Sequence, residues 1–361
     1  MTVDALTRLR NQVQEKDSEL VRLLNERAEL SIKIGEIKNL RQLNIYDPSQ
    51  EAAIFRRINE INHGPLPQES LHSIFNEVLS ASRALQAPVR IAYLGPDESF
   101  SHLASQSHFG RSALFAPQST IFDVFEEVEK GRADRGVVPA ENSLEGTVKL
   151  TLDRLVSSPL HILAEIYLPI RHALMSTVQD TKQVQHVYSH PQALAQCRNW
   201  LRINLPHAST HAVESTAAAA HKILKDRQGA AVGSGSAASR YDLAILADGI
   251  EDCASNITRF LVIGKGTNPP TGNDKTSLIF GTRHESGALY HALRPFAEKH
   301  INLLKIVSHP VKDRVWEYIF FIDCTGHAQE DAVKECIEEL RHMCTFVTVK
   351  GSYPAEDTGR G

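Results

Sequence analysis

Apolar residues recur at three- and four-residue steps from Leu6 to Leu40, taking in Leu9, Val13, Leu20, Leu23, Leu24, Leu30, Ile34 and Ile37. That period, kept up so long, predicts one helix of roughly 36 residues spanning about 54 Å. Such a helix carries more apolar stripe than it can bury alone, so an intertwined helical dimer, or a higher homo-oligomer, is expected. "YDPSQEAAIF" predicts a second helix start, with Asp47 as N-cap, Pro48 at the first helical position and Gln50 closing a capping box. "HGPLPQES" breaks the pattern, and Ser70–Gln86 resumes it as a third amphipathic helix ended by Ala87 and Pro88. Residues 1–87 therefore read as an all-α domain.

Beyond residue 88 the period changes. Short apolar runs ("VRIAYLG", "RGVVPAE", "HVYSHP", "AAVGSG", "TRFLVIG") are separated by helical stretches up to residue 266. That alternation predicts α/β layers with ligands at the carboxyl ends of strands. "KGTNPPTGND" (Lys265–Asp274) has the composition of a linker. Residues 275–354 then read strand–helix–strand–strand–helix–strand, the order of an α+β ferredoxin-like module.

Composition narrows the function. With 361 residues, 42% hydrophobic and 23% charged, the chain has the make-up of an ordinary multidomain globular protein. A net charge of −4 argues against nonspecific nucleic-acid binding. The five cysteines are widely spaced with no C-x-x-C pair, which predicts reduced thiols rather than zinc. The charged, helical start has no apolar signal core, and no run reaches the ~18 apolar residues of a membrane span. A cytoplasmic protein is expected. The 17 histidines give no H-x-x-x-H ligand pair on a plausible helix face, so no metal is expected.

Two stretches carry candidate chemistry. In "SNITRFLVIG", Thr258, Arg259 and Phe260 open an apolar strand, although Arg is costly to bury without an anion. Either Arg259 pairs with a carboxylate at the sheet rim, or Thr258 and Arg259 face a small acidic ligand. On the first helix, Arg27 and Lys38 lie about 1100° apart, within roughly 20° of one face, while Arg10 points roughly 100° away from it. A single charge on a long helix is ordinarily just solvated. Three cations beside Asp47, Glu51, Ser82 and Gln86 in one helical unit make an anion site the competing reading.

The quoted helical stretches, with "LRNQVQEKDSELVRLLNERAELSIKIGEIK" and "SASRALQ", resemble the intertwined all-helical chorismate mutase domain. The resemblance implies that Arg27, Lys38 and a second subunit's Arg10 bind dianionic chorismate. It assigns Gln86 and Lys38 to the ether oxygen, Asp47 and Glu51 to the ring hydroxyl, and Ser82 to a carboxylate. A Claisen rearrangement needs only a folded substrate and electrostatic stabilisation, which suits these residue types. Gln50 departs from the Arg that the family commonly has there, so a weakened mutase is one expectation.

"YLGPDESFSH", "VVPAENSLEGTV", "YSHPQALAQC", "ESTAAAA" and "NITRFLVIG" occur in the order found in prephenate dehydratases. That resemblance implies two α/β lobes around a cleft, as in periplasmic binding proteins, and decarboxylating dehydration of prephenate to phenylpyruvate. Thr258 would assist the leaving hydroxide, polarised by Glu141 or a water chain, and Arg259 would anchor or orient the site. Asn142, Ser143, Ser189, Gln196 and Ser215 would be neutral donors to carboxylates, with Phe100 and Phe260 as apolar walls. His190 would also meet the substrate, and both His190 and His102 have competing readings as turn or core histidines. Glu98 stands where the family normally has Gly; a loop turning on Gly can accept positive φ, which Glu does reluctantly, so the geometry around Pro96–Phe100 is left open. No organic cofactor is implied.

"ESGALYHALRPFAEKHINLLKI" and "WEYIFFID" resemble an ACT regulatory domain of the phenylalanine-binding kind. The implied effector residues are Gly287, Ala288, Leu289, Asn302, Leu303 and Ser308. The second effector loop reads Val307-Ser308-His309-Pro310 and lacks the family's Glu and Arg. The expected whole is a bifunctional enzyme of phenylalanine biosynthesis with feedback by L-phenylalanine. The alternatives are a dehydratase whose helical segment only dimerises, and a noncatalytic sensor of aromatic metabolites.

Overall fold

A computed structural model describes residues 2–41, 43, 45–310 and 318–356. The opening residues of "VWEYIFFID" lie outside them. By internal contacts the chain forms two units. One holds the chain up to Asp47 with Ile54–Val89 and Gln106–Leu114, and the other holds Pro48–Ala53, Arg90–Ser105 and everything from Phe115 on.

The apolar period of the first segment becomes α1 (Thr2–Leu40), followed by α2 (Pro48–Ile61) and α3 (Gln68–Gln86). In the first unit α3 packs on the C-terminal half of α1. Gly35 is needed there, because a Cβ would come within 2.7 Å of the Gln86 side chain. Further toward the N-terminus α1 is bare, with Leu6, Leu9, Val13, Leu20 and Leu23 each about half exposed. Tyr46, His108, Phe109 and Arg83 form the unit's polar-aromatic knot. The Tyr46 hydroxyl bonds the His108 ring, and Arg83 Nη2 donates to Phe109 O at 2.6 Å.

The second unit contains three sheets. The first runs β2 (Leu114–Gln118), β1 (Arg90–Leu94), β3 (Arg135–Asn142), β11 (Ile257–Gly264), β5 (His161–Pro169), with the short β4 (Gly146–Thr147) on β3. The second runs β10 (Ala244–Asp248), β6 (Ala173–Ser176), β9 (Gly229–Gly233), β7 (His186–Ser189), β8 (Ser209–Ala212). These are the two expected lobes, and β11 returns from the second lobe to pair antiparallel with both β3 and β5 of the first. The third sheet, β13 (Leu303–Pro310), β14 (Tyr318–Thr325), β12 (Asp274–Gly281), β15 (Phe346–Pro354), is wholly antiparallel and has the ferredoxin-like order.

Every residue of β12 is buried, so both faces of the third sheet are covered. One face carries Leu278 and Phe280 against its own helices, and the other carries Ile279, Phe321 and Tyr353 into the core of the first lobe. Gly351 makes that approach possible: a Cβ there would lie 2.1 Å from Ile162 O. Composition marked Lys265–Asp274 as a linker, yet Asn268 is buried and its amide donates to Leu163 O and Ser352 O. Val307–Pro310, expected as a loop, is the end of β13, paired to β14 as far as Tyr318.

The junction between the first and third sheets also buries charge. Arg259 Nε lies 2.8 Å from Glu165, Nη1 lies 2.6 Å from Asp323, and Nη2 donates to the Tyr353 hydroxyl at 2.9 Å. Lys275 takes the other Glu165 oxygen at 2.6 Å, and Ser277 donates to Asp323. Burial pushes the Asp323 carboxyl up, but the Arg259 charge and the bonds from Ser277 and Arg259 outweigh it and hold it below its ordinary value.

Removing Arg259 would leave the buried Asp323 carboxylate without a cation and Glu165 with Lys275 alone. Arg259→Met is expected to destabilise the second unit by about 3–5 kcal/mol. The check is the urea midpoint followed by near-ultraviolet dichroism, and an unchanged midpoint would show that the network contributes nothing. In the first unit, burial and then the Arg83 charge press the His108 ring down to about 3. Its folded value lies below the ordinary 6.5, so the unfolded chain binds the extra proton: this contribution is intact above pH 6.5 and is lost as pH falls toward 3. The loss should reach about 2 kcal/mol by pH 5, and denaturant titrations of His108→Gln should show a flatter pH profile than those of the parent chain.

Candidate functional site

Period-2 alternation decides what each residue of the β3–β11 pair can face. Thr258 is in register with Asn142, and Arg259 with Glu141. Asn142 Nδ2 donates to Thr258 Oγ1 at 2.9 Å and lies 2.7 Å from Asn256 Oδ1. All three side chains are buried, and Asn256 Nδ2 has no partner among the described residues. Asn142 Oδ1 accepts the Leu144 and Glu145 backbone N–H groups, so the turn after β3 fixes the amide's orientation. Ser143 Oγ accepts from Ile257 N and donates to Ser255 O, tying the same turn to the start of β11.

Hydrogen bonds continue from this cluster into the second lobe. Glu145 Oε1 accepts from Gln196 Nε2 at 3.1 Å, and Oε2 from Gln192 Nε2 at 2.6 Å. Gln196 Oε1 meets His172 Nε2 at 2.9 Å, and the His172 ring stands edge-on to Phe100, with centroids 5.3 Å apart. Burial lowers the His172 ring pKa, which favours the neutral, single-donor form. The structure thus joins Thr258, Asn142, Ser143, Gln196 and Phe100 in one region spanning both lobes.

Other expected residues stand elsewhere. Arg259 is turned away from Thr258 and committed to Glu165 and Asp323, so of the two sequence readings the structural one holds. Glu141 does not polarise Thr258 in this structure. Its carboxylate takes Lys305 at 2.7 Å, on the face that Arg259 shares by register. Ser189 is fully buried and donates to Val232 O, Ser215 caps the helix Thr216–Ile223, and exposed His190 caps Pro191–Gln196. Phe260 is buried in the sheet. Glu98 does adopt positive φ (62°), and its N–H donates to His102 Nδ1 while Ser234 holds its carbonyl. Asn256, Glu145 and His172 were missed by the sequence reading, although the first two sit inside the motifs quoted for it.

In the first unit, Arg27 Nη1 donates to Ser82 Oγ at 2.6 Å, and Lys38 Nζ donates to Ile45 O. Neither cation has a carboxylate partner among the described residues, and burial lowers the Arg27 pKa. Gln86, whose stem lies against Gly35, has its Oε1 buried without a hydrogen bond among the described residues. Half-buried cations lacking a counter-ion, beside an unsatisfied amide, are what an anionic ligand would complete. Asp47 stands before α2 and Glu51 in its first turn. Exposed Arg10 lies seventeen residues from Arg27, about 26 Å along one helix, too far to share a small ligand.

In the third sheet's module, Gly287 (φ 82°) opens the helix Ala288–Glu298, and Leu289 packs on the module's core. The Asn302 carbonyl accepts from the Thr325 N–H and its own N–H donates to the Thr325 hydroxyl, Leu303 is partly buried and Ser308 is exposed.

Comparison with known proteins matches each of the three segments to a family. Residues 9–87 match the family of type II chorismate mutases, 91–268 that of prephenate dehydratases and 276–342 the ACT domain. The bifunctional chorismate mutase/prephenate dehydratase of Aquifex aeolicus (strain VF5) is 47% identical over 356 residues, spanning 98% of each chain. The crystal structure of prephenate dehydratase from Arthrobacter aurescens in complex with L-Phe superposes with TM-score 0.68 at 32% identity, over 74% of this chain and 90% of that one. A structure described as a quorum quenching acylase, GqqA, gives TM-score 0.69 at 27% identity, over 75% of this chain and 100% of that one. The fold alone therefore does not fix the chemistry. Three family matches in order and near-complete coverage at 47% identity do: the chain belongs to the bifunctional chorismate mutase/prephenate dehydratase family.

Proposed function

We propose that the chain converts chorismate to prephenate in its helical unit and prephenate to phenylpyruvate, carbon dioxide and water at the Thr258–Asn142 cluster. The observation that carries the second step is the buried Thr258–Asn142–Asn256 cluster, reached by neutral donors, with no cation bonded to Thr258 or Asn142 among the described residues. A carboxylate that leaves as carbon dioxide loses its charge in the transition state. A guanidinium bound to it would stabilise the ground state more than the transition state and slow the reaction. Amides and hydroxyls orient it without that cost. As the carbon–carboxylate bond breaks, its electron pair enters the ring, and the hydroxyl at the opposite ring carbon departs with a proton. Thr258 Oγ1, already accepting from Asn142, is free to donate its own hydrogen to that oxygen. The Glu145 carboxylate seated on Gln192 and Gln196 supports those amides as donors to an anion.

In the helical unit, Arg27 and Lys38 pair with the two carboxylates of chorismate, and Gln86 and Lys38 meet the ether oxygen where negative charge develops. Ser82 supports Arg27, while Asp47 serves the ring hydroxyl. The separation of Arg10 from Arg27 supports a place for Arg10 in a second copy's site, with the exposed stripe of α1 as the surface on which that copy docks. This reading makes the protein a homodimer or a higher homo-oligomer. L-phenylalanine binds the ACT module near Gly287, Ala288, Leu289, Asn302, Leu303 and Ser308, a reading supported by the relative solved with L-Phe. The setting is cytoplasmic, where five free thiols stay reduced.

Chorismate and prephenate, supplied separately and followed by the ultraviolet absorbance of phenylpyruvate enolate after base, test this assignment. Turnover from prephenate alone would reduce the helical unit to a dimerisation element, and none from either would overturn the proposal. Thr258→Ala should cost dehydration about 10²–10⁴-fold while leaving mutase turnover intact. Lys38→Ala should cost the mutase step about 10²–10³-fold and spare the dehydratase.

A further inference from the structure

The side chains of β13 alternate in burial. Leu304, Ile306, Ser308 and Pro310 are exposed, and Leu303, Lys305, Val307 and His309 are not. The last three of these grip the first lobe. Lys305 Nζ donates to Glu141 Oε2 at 2.7 Å, His309 Nε2 lies 2.6 Å from Asp153 Oδ1, and Val307 packs on the core containing Leu152 and Leu155. From the neighbouring β14, Asp323 takes Arg259.

Glu141 and Arg259 are register partners, one residue beyond Asn142 and Thr258. Both strands that carry the cluster are therefore held by the ACT sheet one residue away, once by a cation and once by an anion. The opposite polarities allow one seating only, since exchange would set Glu141 against Asp323 and Arg259 against Lys305. The two bridges differ in kind. Arg259–Asp323 is buried, whereas the Lys305 and Glu141 side chains remain 18% and 37% exposed. A pair so wetted contributes little to stability. What it fixes is the direction of β3 at the residue before Asn142.

We infer that Lys305 is a positioning residue for dehydration, acting through Glu141 to keep the Asn142 amide on the Thr258 hydroxyl. The inference rests on the reading of that cluster as the dehydratase centre. Misplacement of a reacting group by about 1 Å can cost ~10²-fold in rate, so a bridge that adds little stability can still matter to turnover.

The test uses the full chain with prephenate and compares Lys305→Met, Lys305→Arg, Glu141→Gln and the double variant Lys305→Met/Glu141→Gln. Lys305→Met should lower kcat about 10- to 100-fold with KM nearly unchanged, and Lys305→Arg should restore most of it. The double variant should be no slower than the slower single one, because both break the same bridge. Near-ultraviolet dichroism and the urea midpoint of each variant report that the second unit has folded, and Glu141→Gln, close in volume to the parent, carries the test should Lys305→Met fail to fold. A kcat for Lys305→Met within about twofold of the parent would overturn the inference. So would losses that multiply in the double variant, since Glu141 would then act on the substrate itself. An unmutated chain that leaves prephenate untouched would instead bring down the functional reading, and this inference with it.

Discussion

The antiparallel pairing of β3 with β11 sets two adjacent cross-strand pairs to opposite purposes. Asn142 and Thr258 make a neutral, hydrogen-bonded centre, and one residue along Glu141 and Arg259 make a charged one. A strand cannot point neighbouring side chains the same way. One register thus supplies both a neutral pair, with no cation bonded to it among the described residues, and the anchorage of a second sheet behind it. A one-residue slip would invert the arrangement, setting the charges where the substrate should lie. Much of the second unit enforces this register: β5 on the other edge of β11, the turn bonds to Asn142 Oδ1, and the Ser143 bonds to both sides of Asn256.

The helical unit answers a similar electrostatic problem in the opposite way. A Claisen rearrangement keeps both carboxylates, so strong cations help hold the substrate folded, and Arg27 and Lys38 stand without carboxylate partners among the described residues. A decarboxylating centre must let one carboxylate go, and the proposed one is built on the Asn142 and Asn256 amides and the Thr258 hydroxyl. Two sites acting on closely related dianions thus differ in the charge of their donors for a reason found in the fate of the substrate's charge.

Much of this was legible in the sequence where periodicity is strong. The 3.6-residue stripe of α1, the Pro48 helix start and the six elements of the third module follow from pattern and helix-end chemistry. Glu98 could be flagged as needing positive φ from a single position. Alternation alone could also have separated Thr258 from Arg259, since adjacent strand residues do not share a ligand. The partners of Arg259 could not be read, because Glu165, Asp323 and Tyr353 come from three strands distant in the chain. Composition misled at Lys265–Asp274, where a Gly- and Pro-rich stretch is fastened by one buried amide, and the ACT resemblance misled at Val307–Pro310, where pairing to β14 makes strand of an expected loop.

β15 is made long after the dehydratase segment, yet it furnishes the Tyr353 hydroxyl for Arg259 and rests Gly351 on the backbone of β5. During vectorial synthesis, the two lobes therefore leave the ribosome with a guanidinium and two carboxylates still awaiting their full complement. The helical unit, whose residues all precede Phe115, can close on itself well before then. A nascent chain would gain its two chemistries at different moments, and an interrupted one would keep at most the earlier.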